Sequence, residues 1–184
     1  MNNSDSKKRI LLHACCGICS GYPITALKEL GYDVIVHFYN PNIYPELEYQ
    51  KRLEAEKILC DFLKCELIIG EYDTPKYYEY VKGLEDEPEK GLRCEKCFEL
   101  RLTETADLAK KMGIKIFTTT MVVSPHKNFD KLTQIGLQIA KKHDLEYLAI
   151  NFRKKDGFLK TNKIANNLGL YRQKYCGCRF ALEK

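Results

Sequence analysis

The chain has 184 residues, with hydrophobic residues at 45% and charged residues at 30%, the balance of a single globular domain with its own core rather than a disulfide-stapled miniature. No apolar run approaches the ~20 residues that span a bilayer. Behind the polar start from Met1 to Arg9 the apolar run is only Ile10-Leu11-Leu12, so neither a membrane helix nor a signal peptide is expected, and a cytoplasmic location is.

In chain order, residues 10–14 form the first apolar run and read as a buried strand, followed at once by the group CCGIC. Ile24, Leu27 and Leu30 then share one helical face, and Gly31 supplies the stop. A second strand over 33–39 leads into Asn40-Pro41-Asn42. A helix over 46–62 follows Pro45 and repeats apolar groups at Leu47, Ala55, Ile58, Leu59 and Phe62. Residues 66–69 form the third strand, and Asp73-Thr74-Pro75 reads as a cap with proline at the first helical position. The acidic stretch 85–89 reads as an exposed loop leading into CEKC, and a helix over 97–112 ends at Gly113. The fourth strand, 115–121, precedes the loop 124–128, and Leu132, Ile135 and Ile139 mark the next helix. A fifth strand, 146–150, precedes the loop 151–157, and a last helix near 163–168 stops at Gly169.

These strands are short apolar runs without clean alternation, as expected when both faces of a parallel sheet are covered. Their regular alternation with helices predicts a single α/β domain over 1–184, a five-stranded parallel sheet with helices on both faces. Right-handed crossovers place the strand C-terminal ends on one edge. The loops after the first, second, fourth and fifth strands should therefore converge on one site.

Nine cysteines make that edge unusual. An odd number cannot pair fully within one chain, and a reducing compartment disfavours disulfides. Seven of the nine fall in CCGIC, CEKC and CGC, and metal ligation is the leading reading of such clustering. Cys94-Glu95-Lys96-Cys97 lets two sulfurs reach one metal centre but fits a zinc half-site, a cluster half-site or a redox dithiol. A thioredoxin-like dithiol would sit at a helix start directly after a strand, whereas an acidic loop precedes this one. In Cys176-Gly177-Cys178 the glycine lets the backbone fold close to a metal or sulfide. Tyr175 and Arg179 beside it are equally a nucleotide-flanking pair or a surface aromatic and charge. Adjacent Cys15 and Cys16 point different ways, so one can face a cluster and the other a second metal or the substrate. Cys19, one helical turn on, reads as simply buried, and Cys60 and Cys65 as small buried hydrophobes. His13 reads as a satisfied core histidine, and His37, His126 and His143 have no ligand spacing. Six or seven clustered thiols exceed one zinc's need, and two zincs would usually show two regular C-x-x-C pairs. Iron–sulfur ligation is therefore preferred over zinc.

Neither a P-loop nor a dinucleotide fingerprint is present. The fold reading resembles the adenine-nucleotide α-hydrolase (HUP) group, which includes tRNA-thiolating ATP pyrophosphatases. Where those enzymes carry an S-G-G-x-D-S loop after the first strand, this chain has Cys15-Cys16-Gly17-Ile18-Cys19-Ser20. Thiols in place of a phosphate loop move the expected chemistry from adenylation to electrons or metals.

The stretches LLHACCGICS, FYNPNIYPELEYQKR, RCEKCFELRLTETA, TTTMVVSPHKN, NFRKKDGF and LYRQKYCGC resemble, in order and over most of 11–178, the QueH family of epoxyqueuosine reductases. One departure is Gly17-Ile18, where the family often has Ala-Pro. The resemblance implies a [4Fe–4S] enzyme with an additional mononuclear iron and no cobalamin, reducing epoxyqueuosine to queuosine at the tRNA wobble position with an external electron donor. It implies metal ligation by Cys15, Cys16, Cys94, Cys97, Cys176 and Cys178. Catalytic candidates are Cys15 and Cys16 with Tyr49, Arg52 and Arg101, the last three equally readable as salt-bridge or core residues. Arg153-Lys154-Lys155, Arg172 and Lys174 are candidate phosphate contacts, and Tyr171 or Tyr175 a stacking platform, against the plainer reading of a solvated basic face. The net charge of +5 is compatible with that tRNA partner without selecting it. The competing readings are a zinc-stabilised RNA-binding module without catalysis and a thiol–disulfide redox protein.

Overall fold

Continuous apolar strands need cover on both faces, and the computed structural model, which describes residues 8–182, supplies it. The expected polar start falls mostly outside the described residues. Strands β1 (Lys8–Ala14), β2 (Tyr32–Phe38), β3 (Glu66–Ile69), β4 (Ile116–Thr119) and β5 (Glu146–Tyr147) form one parallel sheet in the order β3-β2-β1-β4-β5. β1 is central, and its Ile10, Leu11, Leu12 and Ala14 are wholly buried. Burying one such side chain is worth about 1.5–3 kcal/mol, so this strand anchors the sheet.

Helices α1 (Gly17–Glu29), α2 (Glu46–Leu63), α3 (Thr74–Tyr80), α4 (Leu92–Lys111), α5 (Phe129–His143), α6 (Gly157–Asn167) and α7 (Arg179–Leu182) complete the fold. α1 packs against α2 and α6, and α4 packs against α5. Gly17 makes the first of these contacts possible, because a Cβ there would lie 2.5 Å from the Ala55 carbonyl oxygen of α2. The Asp73 carboxylate accepts from the Lys76 amide at 2.9 Å, capping α3 as expected, with Pro75 in the first turn. Among the described residues no helix is long and apolar enough to cross a membrane.

Several boundaries differ from expectation, and the helix expected near 163–168 starts at Gly157. The fourth strand stops at Thr119 rather than 121, because the Thr119 hydroxyl accepts from the Met121 amide at 3.1 Å and tightens 120–123 into a 3-10 turn. The fifth pairs only over Glu146–Tyr147. α4 begins at Leu92, five residues early, so both cysteines of CEKC sit in its first two turns rather than at the end of a loop. Its start is set by tertiary bonds. The Glu87 carboxylate accepts from the Leu92 amide at 3.0 Å, and buried Arg93 donates to the carbonyls of Leu84, Glu85 and Glu87.

Candidate metal centre

The ends of β1 and β2 are locked together before any cysteine is placed. Asn40 donates to the Ala14 carbonyl at 2.9 Å, and Arg101 donates to the Asn40 side-chain oxygen at 2.5 Å. His13 is wholly buried, with Nε2 donating to the Tyr39 carbonyl at 3.1 Å and Nδ1 3.0 Å from the Thr119 hydroxyl, so it is the satisfied core histidine expected.

From this fixed edge the chain turns through Cys15 and Cys16 into α1, with Cys16 as its extended N-terminal residue and Cys19 within the first turn. The Cys19 amide donates to the Cys16 carbonyl at 3.1 Å, which folds the third thiol back over the first two. The Cys15, Cys16 and Cys19 sulfurs all lie within 4.8 Å of one another, and among the described residues no other three potential ligands are so close. The Cys15 and Cys16 sulfurs are 3.9 Å apart. Hydrogen bonds from Cys16 and Cys19 hold the Cys15 thiol well below the ordinary value, whereas the bond to Cys15 pushes Cys16 up to about 12. Gln173 Nε2 donates to Cys16 Sγ at 2.9 Å, and the Gln173 carbonyl oxygen is buried without a partner.

Cys94 and Cys97 of α4 meet Cys176 and Cys178 across a cavity of about 190 Å³, also lined by Tyr77, Arg101 and Lys127. Hydrogen-bond donors surround these sulfurs. The Lys90 amide reaches Cys94 Sγ at 3.3 Å, the Cys178 amide reaches Cys176 Sγ at 3.4 Å, and Arg101 Nη1 reaches Cys97 Sγ at 3.9 Å. The Tyr77 hydroxyl lies 3.3 Å from Cys178 Sγ. Bonds from Cys176 and Tyr77 bring Cys178 down to about 7, while burial raises Cys94 and Cys97. Gly177 turns the loop at φ +104, and a Cβ there would lie 3.0 Å from both Arg52 Nη1 and Ile43. The glycine therefore serves a left-handed turn packed on α2.

A neighbouring cavity of about 420 Å³ is lined by Cys15, Cys19, Cys176, Lys127, Gln173 and Tyr175 among others. Cys176 borders both cavities, as do His126 and Lys127. The loops after β1, β2 and β4 reach this edge, through Cys15, Asn42 and residues 124–127. After β5 it is α6 that does so, through Phe158 and Asn162, rather than the loop 151–157.

The six thiols read as ligands therefore divide into four around one cavity and two in a triad completed by Cys19, the residue read as merely buried. Arg101 stands beside Cys97. Arg52 lines the larger cavity, but its bonds go to protein: Nε to Glu48 at 2.8 Å, and the guanidinium ends to the Cys176 and Tyr175 carbonyls at 3.1 and 3.0 Å. Tyr49 lines neither cavity; it is buried against Phe38 and stacked on Tyr72 with ring centroids 4.0 Å apart. Tyr171 is tied down, donating to Glu48 at 2.6 Å. The sequence reading gave no role to Lys127, Gln173, Tyr77 or Cys19. Lys127 carried a signal in the loop 124–128 expected at this edge, and Cys19 in its position one helical turn from Cys15 and Cys16.

The donor sets suit different metals. A tetrahedral ion with bonds of ~2.3 Å spaces its sulfurs by roughly 3.8 Å, close to the 3.9 Å between Cys15 and Cys16. A polynuclear cluster takes four thiolates, the number that line the smaller cavity.

A family model described as "Epoxyqueuosine reductase QueH" matches residues 10–184. Proteins named "Epoxyqueuosine reductase QueH" are similar along nearly the whole chain. That of Acinetobacter baylyi is 38% identical, covering 97% of this chain and 82% of the relative. That of Thermotoga maritima is 36% identical, covering 94% and 90%. Among solved structures, a predicted subunit of tRNA methyltransferase from Methanocaldococcus jannaschii aligns with TM-score 0.55 at 12% identity, covering 90% of this chain and 91% of that one. The U34-tRNA thiolase NcsA from Methanococcus maripaludis, solved with its [4Fe-4S] cluster, aligns with TM-score 0.53 at 13% identity, covering 91% and 58%. At such identities these two bear on fold alone, a five-stranded parallel sheet covered by helices.

Proposed function

The chain belongs to the QueH family of epoxyqueuosine reductases, and we propose that it removes the epoxide oxygen of epoxyqueuosine at the tRNA wobble position, giving queuosine. The observation that carries the reading is the division of seven thiols into a four-sulfur cavity and a three-sulfur triad bordering a second cavity, with Cys176 in the wall between. Cys94, Cys97, Cys176 and Cys178 hold a [4Fe–4S] cluster, and Cys15, Cys16 and Cys19 hold a single iron. When bound, these centres supply single-electron transfer and a Lewis-acid position for the epoxide oxygen.

The chain's own residues set the conditions. Converting an epoxide to an alkene consumes two electrons and two protons and releases the oxygen as water. The electrons come from an external donor. Lys127, bordering both cavities, is placed to neutralise charge developing on the departing oxygen. The donors around Cys94, Cys97, Cys176 and Cys178 stabilise negative sulfur. Arg52 acts as a positioning residue, holding the Tyr175 and Cys176 carbonyls and thereby the CGC loop. Arg172, Lys174 and Tyr175 line the larger cavity at the mouth through which a wobble nucleotide would enter, and Arg153, Lys154 and Lys155 add charge for the phosphates. A protein that works on tRNA in this way belongs in the cytoplasm.

The test is anaerobic incubation of iron-loaded, dithionite-reduced protein with epoxyqueuosine-containing tRNA, followed by mass analysis of the nucleosides. Loss of one oxygen mass is the expected result. An unchanged epoxyqueuosine peak from protein with full iron content would refute the assignment.

A further inference from the structure

Two cysteines lie outside both metal sites. Cys60 is in the last turn of α2 and Cys65 just beyond its end, and both line a separate surface hollow with Glu54, Lys57, Asp61 and Leu67. Their meeting is built into the backbone. Lys64 takes a left-handed conformation at φ 52, the Cys65 amide donates to the Cys60 carbonyl at 3.0 Å, and the Lys64 amide donates to the Asp61 carbonyl at 3.3 Å. This is the Schellman ending of a helix, in which the residue two beyond the last turn folds back onto the residue five before it. An apolar side-chain pair usually closes that contact. Here both members are thiols, and the Cys65 thiol donates to the Cys60 carbonyl at 3.7 Å.

The surroundings differentiate the two sulfurs. Cys60 is buried, and its thiol donates to Glu56 Oε1 at 3.8 Å. Cys65 is only partly buried, and the Lys28 ammonium, bound to the Leu63 and Lys64 carbonyls, stands near it. The bond from Cys60 and the Lys28 charge lower the Cys65 thiol below its ordinary value, whereas the bond to Cys65 and burial raise Cys60. A partly exposed sulfur with a lowered thiol beside a buried one with a raised thiol is the arrangement of an attacking and a resolving cysteine. Disulfides also require Cα atoms within about 4.4–6.8 Å, a range that two residues sharing a direct peptide hydrogen bond can meet.

We propose that Cys60 and Cys65 are a peroxide-reactive dithiol, a modification site distinct from the metal centre, that closes to a reversible disulfide. The Cys65 thiolate attacks one oxygen of hydrogen peroxide, the O–O bond breaks, and hydroxide leaves as water on taking a proton, giving a sulfenic acid. The Cys60 sulfur then attacks that sulfenic sulfur. The S–O bond breaks, the S–S bond forms, and the departing hydroxide takes the Cys60 proton as a second water. Two thiols lose two electrons in all, and one peroxide gains them.

The chain offers a direct readout, because Lys64 lies between the two cysteines. Iron-loaded protein is treated anaerobically with stoichiometric hydrogen peroxide, blocked with N-ethylmaleimide and digested with trypsin without reductant. The expected result is peptides 58–64 and 65–76 joined, with a mass two hydrogens below their sum, and separated again by dithiothreitol. Recovery of both cysteines as maleimide adducts, or of either joined to a different cysteine, would overturn the proposal. In Cys60→Ser the sulfenic acid should persist on Cys65 and be trapped by dimedone, with iron content unchanged. In Cys65→Ser the remaining Cys60 should stay unmodified. A dimedone adduct on Cys60 in that variant would equally overturn it.

Discussion

Glu56 is a wholly buried carboxyl on α2, and replacing it with glutamine should make the protein more stable as the pH rises. Burial pushes this carboxyl from 4.5 up to about 8, so it is protonated in the folded chain at neutral pH. Its neighbours agree with that state. The Ser20 hydroxyl stands 2.9 Å from Glu56 Oε2 and 3.1 Å from the Cys16 carbonyl, one proton facing two acceptors, and a protonated Glu56 removes the shortage. A raised folded value means no penalty below pH 4.5, where both states are protonated. The penalty then grows as the unfolded chain alone ionises, up to the folded value near 8. At about 1.4 kcal/mol per pH unit, the cost in the wild type is about 1.4 kcal/mol at pH 5.5 and about 4 kcal/mol at pH 7.5. Glutamine keeps the shape and can donate to Ser20, but it does not titrate. Urea unfolding of iron-loaded wild type and Glu56→Gln at the two pH values should therefore show the gap between them widening by about 2.5 kcal/mol in favour of the variant. A constant gap, or one that widens in favour of the wild type, would refute the claim that this carboxyl is buried protonated.

The remaining predictions concern the metal edge. Gly177→Ala forces a side chain into a left-handed turn against Arg52; it should cost about 1–2 kcal/mol and lower the melting temperature by roughly 2–8 °C, with reduced iron content, and an unaltered melting curve would count against the packing described. Arg52→Met leaves Glu48 buried without its ion pair, 2.7 Å away in the wild type, and should cost on the order of 3–5 kcal/mol in denaturant unfolding, whereas a loss under about 1 kcal/mol would mean the CGC loop is held by other contacts. Cys97→Ser should abolish iron–sulfur charge-transfer absorbance, while Cys19→Ser should keep that absorbance and bind one iron fewer. Identical losses in the two variants would show that the thiols do not divide as proposed.

The sheet was legible because a strand buried on both faces must be a nearly unbroken apolar run, and β1 and β2 are such runs. Once the elements alternated, the handedness of crossovers placed three of the four expected loops at one edge without further information. What was not legible depended on side-chain contacts that spacing does not reveal. The start of α4 is fixed by Arg93 gathering the carbonyls of an acidic stretch that reads locally as a loop. Tyr49 and Arg52 were singled out together as catalytic candidates. They lie three residues apart on α2, yet only Arg52 reaches the CGC loop, while Tyr49 stacks on Tyr72. Cys19 is buried, as read, but its nearness to Cys15 and Cys16 was not legible. The turn into α1 brings a thiol one helical turn away back onto its two predecessors, and spacing alone does not determine that.

The CGC loop belongs to neither face of the sheet. It is fastened by the Tyr44 amide on the Gly177 carbonyl at 2.8 Å, by the Ile43–Cys178 bridge and by the grip of Arg52. If the four thiols hold a cluster, iron is the clasp of a strap, and stripping it would unbuckle the segment around 175–180 while the five strands stay assembled. Metal loss should then register first as protease sensitivity in that segment and only much later as melting of the core.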